Sequence, residues 1–229
     1  MARKRSPRNQ RAAADDAVVV IGLGRFGQAL ALELADEDTE VLGIDSNPDI
    51  VQSLSGSLTH VVRADCTREQ TLRQLAVHEF DRAVVGIGTD LESSILTTSL
   101  LISFGIREVW AKATSEAHGR ILTQLGVHRV VYPEHDMGQR VAHLVRGRML
   151  DYIEFEDDFA MVKTNPPSDI VGKRLADSAL RSHYGLTVVA IKRPGEGFTY
   201  ATAETVVEAA DTIIVAGRTR QTERFSQLR

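Results

Sequence analysis

The feature that most constrains the fold is a glycine-rich turn, Gly22-Leu23-Gly24-Arg25-Phe26-Gly27. It follows the apolar run Val18-Val19-Val20-Ile21 and leads into a segment with Ala29, Leu30 and Leu34 at helical spacing. Between a strand and a helix, the first glycine permits the tight turn, the second lets phosphates approach the backbone, and the third lets the helix pack closely on the sheet. The helix N-terminus then offers unpaired N–H groups to an anion. The turn therefore predicts the phosphate-binding loop of a Rossmann-type domain.

Apolar runs alternate with amphipathic segments from Ala17 to Tyr132. Short strands of almost continuous hydrophobicity are typical of a parallel sheet buried on both faces, and strand–helix alternation predicts a doubly wound α/β domain. The predicted strands are 17–21, 40–44, 60–62, 82–87, 108–113 and 129–132, and the predicted helices are 28–36, 49–55, 69–76, 91–104 and 116–125.

A further helix is predicted over 134–150, with an apolar stripe of Val141, Leu144, Val145 and Met149. This stripe can pack on its own domain or dock on another subunit as a dimerisation element. The pattern after Leu150 predicts a small α+β domain, which self-association would help to stabilise. Its predicted strands are 151–156, 160–164, 186–192 and 211–216, and its predicted helices are 173–183 and 219–228. The predicted organisation is a basic tail at 1–14, a Rossmann domain at 15–150 and an α+β domain at 151–229.

Charge is distributed unevenly along the chain. The net charge is −4, but residues 1–11 carry five basic residues and no acid, which leaves 22 basic against 31 acidic residues elsewhere. The tail is either a solvated leader or an arm that reaches anionic lipid or nucleic acid. The acidic remainder argues against nucleic-acid binding elsewhere on the chain.

No apolar run approaches the roughly 18 residues of a membrane span. The single cysteine suits a reducing compartment, so a soluble intracellular protein without a secretory signal is expected.

The nucleotide can be narrowed from the residues around the loop. Asp45 directly follows the second predicted strand, where a carboxylate accepts hydrogen bonds from ribose hydroxyls. The following Ser46-Asn47-Pro48 offers no arginine for a 2′-phosphate, which disfavours NADP. The Arg25 guanidinium suits the β- and γ-phosphates of a nucleoside triphosphate, the alternative being a solvated arginine on the first helical turn.

Other candidates for chemistry are weak. The seven histidines show no zinc-like pairing, and Cys66 has no obvious base beside it, so it is interpreted as a core or loop residue. Lys112 closes the fifth predicted strand, where it can contact the nucleotide or, less simply, act in catalysis. Residues 151–229 contain one histidine, His183, and no cysteine. A non-enzyme is therefore expected, with an NAD-dependent oxidoreductase and a freestanding nucleotide sensor as alternatives.

The loop, Trp110-Ala111-Lys112-Ala113 and Pro133-Glu134-His135-Asp136-Met137-Gly138 together carry a family resemblance. From about Ala17 to Phe225 the chain resembles the KtrA/TrkA-type regulators of potassium conductance (RCK). The resemblance implies a cytoplasmic gating subunit at the inner face of the membrane. Its partner would be a potassium-translocating membrane subunit (KtrB/TrkH-like), beneath which homodimers form a ring, often an octamer. ATP or ADP, sometimes NAD(H), would occupy the Rossmann cleft, with ATP favouring the conducting ring and ADP the inactive one.

The resemblance also assigns site residues. Arg25 would reach the γ-phosphate of the neighbouring subunit's nucleotide, and Glu134 at the dimer interface would hold a cation (Mg²⁺, Ca²⁺ or sodium). Triphosphates near a dyad repel one another, so a cation between them is physically reasonable. The predicted nucleotide-binding residues are Gly22, Gly24, Arg25, Phe26, Gly27, Asp45, Ser46, Asn47, Asp65, Cys66, Ile87, Gly88, Thr89, Lys112, Ala113, Thr114, His118 and Glu134.

The last domain is similar to the family's C-terminal RCK domain, which in some members binds cyclic di-AMP across a dimer interface. The resemblance places this ligand against Arg181, Thr187 and Val188, with Arg181 pairing with phosphate. The chain departs from the binders' pattern at two places: Thr187 stands where many have asparagine, and Ala201-Thr202-Ala203 replaces a proline-containing loop. Cyclic di-AMP binding and a purely dimerising domain both stay open.

Overall fold

The computed structural model describes residues 17–146 and 148–228. The predicted basic tail, 1–14, lies outside these residues. The chain divides into two compact units between Glu134 and His135. The sequence pattern predicts a change of domain at Leu150, whereas by its contacts most of the helix before that residue belongs to the second unit. Within the described ranges, no helix combines the length and the apolar character needed to cross a bilayer.

The first unit is built on a six-stranded sheet in the order β3-β2-β1-β4-β5-β6, and every neighbouring pair is parallel. Strand order reverses at β1, which pairs with β2 on one side and β4 on the other, and a crevice at this point is the usual ligand site of such sheets. The predicted doubly wound fold is confirmed. The strands are β1 (Val18–Ile21), β2 (Val41–Asp45), β3 (His60–Arg63), β4 (Arg82–Val85), β5 (Glu108–Lys112) and β6 (Arg129–Val131).

Both faces of this sheet are covered, which explains the continuous apolar runs. Val19 and Ile21 pack in one cluster with Leu101, while Val18 and Val20 pack on the other face in a cluster with Ala31. The helices are α1 (Arg25–Asp36), α2 (Pro48–Ser53), α3 (Glu69–Gln74), α4 (Leu91–Ser103), α5 (Glu116–Gln124) and α6 (Pro133–Arg146), with a 3₁₀ turn at Val77–Glu79.

The second unit contains a five-stranded antiparallel sheet in the order β10-β9-β11-β8-β7. Ala160, Val162 and Thr164 alternate inward on β8, and Val215 and Phe225 belong to the same buried face. The predicted α+β fold is therefore confirmed. The elements are β7 (Asp151–Phe155), β8 (Phe159–Thr164), a 3₁₀ turn (Leu175–Asp177), α7 (Leu180–Tyr184), β9 (Thr187–Lys192), β10 (Phe198–Tyr200), β11 (Thr212–Arg218) and α8 (Thr219–Ser226).

The prediction of one helix over 173–183 is wrong. The N–H groups of Leu175 and Ala176 donate to the carbonyls of Thr205 and Ala203, both at 2.9 Å, so a neighbouring loop supplies their hydrogen-bond partners. Ala179 has a φ of +53°, a left-handed conformation that interrupts a helix. Only α7, after this residue, is α-helical.

The predicted helix 134–150 is shorter than expected, and its apolar stripe divides. The Leu150 N–H donates to the Lys163 carbonyl at 2.7 Å, so this residue already extends the sheet. Met149 is buried in the core of the second unit and Leu144 packs against it. Val141 and Val145 stay 45% and 79% exposed, in line with Met137 at 53%. Part of the stripe therefore packs on its own domain and part is left uncovered.

Candidate functional site

A cavity of about 560 Å³ opens at the carboxyl ends of the parallel strands. Residues that end or follow β1, β2, β3, β4 and β5 all contribute to its wall, as expected at the reversal of strand order. Most of the residues predicted from sequence meet here. They are Gly22, Gly24, Arg25, Phe26, Asp45, Ser46, Asn47, Asp65, Cys66, Ile87, Gly88, Thr89, Lys112, Thr114 and Glu134.

The glycines of the turn have separate roles. Gly22 has a φ of +88°, and a Cβ there would lie 2.8 Å from the Ile87 backbone nitrogen. A Cβ on Gly27 would lie 1.9 Å from the Gly22 carbonyl oxygen, so helix α1 approaches the turn as closely as its backbone allows. A Cβ on Gly24 would meet no atom of the described residues within 4 Å. The first and third glycines thus shape the turn, while the second keeps the cavity open for a ligand.

The N-terminus of α1 is left uncapped beside this cavity. Gly24 precedes the helix in an extended conformation, no side chain of residues 17–146 or 148–228 caps it, and the first turn contains no acid. By contrast, the N-termini of α2, α4 and α5 are capped by Asn47, Asp90 and Ser115. Free N–H groups at the positive end of a 12-residue helix therefore face the site, an arrangement that favours an anion.

Asp45 ties the second strand to the glycine turn. One carboxylate oxygen accepts the Leu23 N–H at 2.6 Å, and the other accepts the Asn47 N–H at 2.8 Å. A carboxylate has about four acceptor positions, so both oxygens retain capacity for ribose hydroxyls. Asp45 can therefore order the loop and bind the sugar at the same time.

A buried cation and an exposed carboxylate meet at the other end of the cavity. The Lys112 side chain is 10% exposed, and its Nζ donates to Glu134 Oε1 at 2.5 Å. The same Nζ lies 5.9 Å from the centre of the Phe26 ring. The hydrogen bond from Lys112 lowers the pKa of Glu134, and the nearby charges of Lys112 and Arg25 add to this effect. Glu134 is thus held ionised at the first turn of α6.

Asp65 and Cys66 line the wall beyond Asp45. Asp65 accepts hydrogen bonds from the Thr67 hydroxyl at 2.6 Å and the Thr67 N–H at 3.0 Å, which lower the pKa of its carboxyl. Burial raises the pKa of the Cys66 thiol to about 12, so the thiol stays protonated near neutrality and is a poor nucleophile. This agrees with the interpretation of Cys66 as a structural residue.

Three predicted residues lie outside the wall of the cavity. Gly27 is buried under the turn, and Ala113 is 2% exposed within the apolar cluster. His118 is 1% exposed, its Nδ1 accepts the Thr114 N–H at 3.3 Å, and burial lowers its pKa so that the imidazole is neutral.

The wall also contains residues that the sequence did not predict: Ile21, Ile50, Ala64, Thr67, Asp90, Ser93 and Thr97. Asp90 and Ser93 form the N-terminal cap of α4, a pattern that could have revealed them, whereas Thr97 in the middle of the helix carries no such signal.

The proposed cation at Glu134 finds little support within one chain. Among residues 17–146 and 148–228, no group of three or more histidine, cysteine or acidic side chains could hold a metal ion. The Glu134 carboxylate is also engaged by Lys112. A cation held there needs ligands from a bound phosphate or from a second copy of the chain.

The second unit contains its own cavity, of about 590 Å³. The three residues predicted for cyclic di-AMP, Arg181, Thr187 and Val188, all line it. Arg181 Nη2 donates to the Thr187 hydroxyl at 3.3 Å. The Ala201-Thr202-Ala203 segment forms part of the same wall, so both departures from the binders' pattern fall on the cavity.

Comparison with known proteins finds relatives that match about nine-tenths of the chain. Residues 18–133 match the TrkA-N domain and residues 159–228 the TrkA-C domain. The chain is 35% identical to Ktr system potassium uptake protein C of Bacillus subtilis (91% of this chain, 95% of that protein) and 36% identical to Ktr system potassium uptake protein A of Vibrio alginolyticus (89% and 93%).

Solved structures agree at the level of the fold. The GsuK RCK domain superposes with a TM-score of 0.63 at 18% identity, and the GsuK channel with 0.65 at 16%. These matches cover 92% and 93% of this chain but 47% and 39% of those chains, so the chain spans less than half of their length. The chain belongs to the Ktr family of potassium uptake proteins, with a TrkA-N domain followed by a TrkA-C domain.

Proposed function

We propose that this chain is a cytoplasmic, non-enzymatic gating subunit of a bacterial potassium uptake system, controlled by the nucleotide in its first cavity. The observation that carries the proposal is similarity to Ktr proteins over nine-tenths of the chain, with the anion-binding turn intact. The subunit acts at the inner face of the membrane through a potassium-translocating partner. A ligand shifts such an equilibrium only by its difference in affinity for the two states, so ATP and ADP have to be distinguished at the site.

The phosphate end of the cavity offers the means to distinguish them. The free N–H groups of α1, the Arg25 guanidinium and the Lys112 ammonium are suited to a chain of phosphates. ATP and ADP are the proposed regulatory ligands, and NAD(H) is an alternative occupant because the turn accepts any pyrophosphate. Arg25 acts on the γ-phosphate, either in its own cavity or in that of a neighbouring subunit.

The Lys112–Glu134 pair provides a route from the cavity to α6. A phosphate oxygen can replace Glu134 as the partner of Lys112, which frees a carboxylate on the first turn of the helix that continues into the second unit. In a dimer, the freed Glu134 can bind Mg²⁺ or Ca²⁺ together with phosphate oxygens. Nucleotide binding in the cavity would thus change the hydrogen bonding of Glu134 on the first turn of α6.

The uncovered part of α6 suits a second copy of the chain. Met137, Val141 and Val145 lie at intervals of four residues, on one face, and all three are exposed. Burying such a stripe against its counterpart is favourable. Dimers of this kind would assemble into the ring expected for the family, with eight subunits. The cavity of the second unit would take cyclic di-AMP through Arg181, or serve dimerisation alone.

Potassium flux tests the proposal directly. A Ktr-type membrane subunit is reconstituted in liposomes with this chain, and K⁺ uptake is followed with ATP or with ADP. Uptake should be faster with ATP and should lose its nucleotide dependence when the chain is omitted. Equal uptake with ATP, with ADP and without nucleotide would contradict the gating role.

A further inference from the structure

We propose that the Thr97 hydroxyl binds the base of the nucleotide, an inference that rests on the proposed function and extends it to base recognition. Thr97 lies on α4, is fully buried and lines the first cavity. Its Oγ1 has no hydrogen-bond partner within the described part of the chain. Buried polar groups are almost always paired, so an unpaired hydroxyl in the wall of a ligand cavity points to a partner on the ligand.

Thr97 differs from the other residues of α4 and its N-cap that line the cavity. Asp90 caps α4, and Ser93 and Thr97 follow it on the face of the helix that lines the cavity. Asp90 and Ser93 satisfy each other, because the Ser93 hydroxyl and N–H donate to the Asp90 carboxylate at 2.7 and 3.0 Å. Of this row, Thr97 alone is left with an unpaired hydroxyl in the described structure.

The surroundings of Thr97 favour the base over the phosphates. Leu101, one turn further along α4, packs in the cluster that contains Ile21 and Cys66, and both of these residues also line the cavity. The charged groups suited to phosphate lie on other elements, with Arg25 on α1 and Lys112 on β5. A hydroxyl close to apolar side chains suits a planar base, since it can donate to a ring nitrogen or accept from an exocyclic amine.

The chain offers a matched control at Thr98. Its side chain is also fully buried and its Oγ1 is also unpaired in the described structure, but it does not line the cavity. Valine has nearly the shape of threonine, and replacing an unsatisfied buried hydroxyl by an apolar group does not destabilise the protein. Thr97→Val and Thr98→Val should therefore both unfold, without ligand, at or above the temperature of the unmodified protein.

Ligand affinity should distinguish Thr97→Val from Thr98→Val. Titration calorimetry compares AMP, ADP, ATP and inorganic tripolyphosphate. Thr97→Val should weaken the binding of all three nucleotides by about the same factor, near tenfold, which corresponds to 1.4 kcal/mol. Tripolyphosphate, which has no base, should bind Thr97→Val as it binds the unmodified protein. Thr98→Val should bind every ligand normally, and Thr97→Ser should restore nucleotide affinity to within about threefold.

Each other outcome has a clear meaning. If the unmodified protein binds nucleotides and Thr97→Val binds AMP equally well, the proposed role of Thr97 is wrong, but the proposed nucleotide site is retained. A loss that grows with the number of phosphates, or that extends to tripolyphosphate, would also overturn base recognition. If the unmodified protein binds none of the three nucleotides, both this inference and the proposed control by nucleotide fail.

Discussion

The two cavities are almost equal in size, about 560 and 590 Å³, yet they are built differently. The wall of the first combines a fixed backbone turn and a free helix N-terminus with charged side chains of both signs. Arg181 is the sole charged side chain among the described residues that line the second. Cavity volume therefore does not distinguish the sites. The first cavity is preorganised for an anion by the backbone of one chain. The second cavity has one arginine, so a ligand with two phosphates would need the arginine of a second copy of the chain as well.

Substitution at Gly27 tests the preorganisation of the first cavity with the largest expected effect. Gly27→Ala places a methyl group against the Gly22 carbonyl, and because the contact is with backbone it should cost about 3 kcal/mol of stability. Gly24→Ala meets open space and should keep the stability within about 1 kcal/mol while weakening ATP binding. Urea unfolding and calorimetry measure the two effects. Equal stability of both variants would show that the turn is not closely packed.

The Lys112–Glu134 pair tests whether charge controls the first cavity. Glu134→Gln leaves the buried ammonium without a counter-charge and should cost about 1 kcal/mol, less than for a fully buried pair because the Glu134 side chain is 65% exposed. Without divalent cations, the same variant should bind ATP at least as tightly as the unmodified protein, because Lys112 is no longer occupied. Lys112→Met should instead weaken ATP binding about tenfold or more. If both variants weaken ATP binding equally in EDTA, the proposal that phosphate replaces Glu134 as the partner of Lys112 is wrong.

Substitutions at Arg181 and Thr187 test the second cavity separately from the first. Arg181→Ala removes an exposed side chain, so stability should change by about 0.5 kcal/mol or less, while cyclic di-AMP should bind about tenfold more weakly. Thr187→Asn, which restores the residue of many binders, should strengthen binding a few-fold. ATP binding serves as the internal control and should be unchanged in both variants. If cyclic di-AMP does not bind the unmodified protein at up to millimolar concentration, the cavity serves dimerisation only.

The sequence could predict features that are set by local residues, but not those that are set by distant contacts. The glycine turn, the buried strands and Asp45 follow from local patterns, because turn geometry and burial leave a direct signature in residue type. The helix over 173–183 was wrong because its N–H groups bond to the distant loop at 203–205, which no local pattern reveals. Strand β10 was missed because its three residues are all exposed at the edge of the sheet.

The candidate site shows a similar limit. Residues of the turn and of the strand ends were found because their positions follow from the parallel sheet. Thr97 was missed because a threonine in the middle of a helix belongs to no motif, and its significance depends on burial and on an unpaired oxygen. His118 was placed in the site by family resemblance, whereas its ring is buried against Thr114. Contacts that depend on tertiary packing are those that sequence patterns leave out.

The central claim, that the first cavity senses the γ-phosphate, is tested most directly by the ratio of ATP to ADP affinity in the Arg25→Ala variant. Titration calorimetry should show that the unmodified protein prefers ATP, and that Arg25→Ala reduces this preference about tenfold or more while ADP affinity changes little. Arg107→Ala is the control, because that side chain is 79% exposed and precedes β5 at its amino end. A variant that retains the unmodified ratio of affinities, or an unmodified protein that does not distinguish ATP from ADP, would contradict the account.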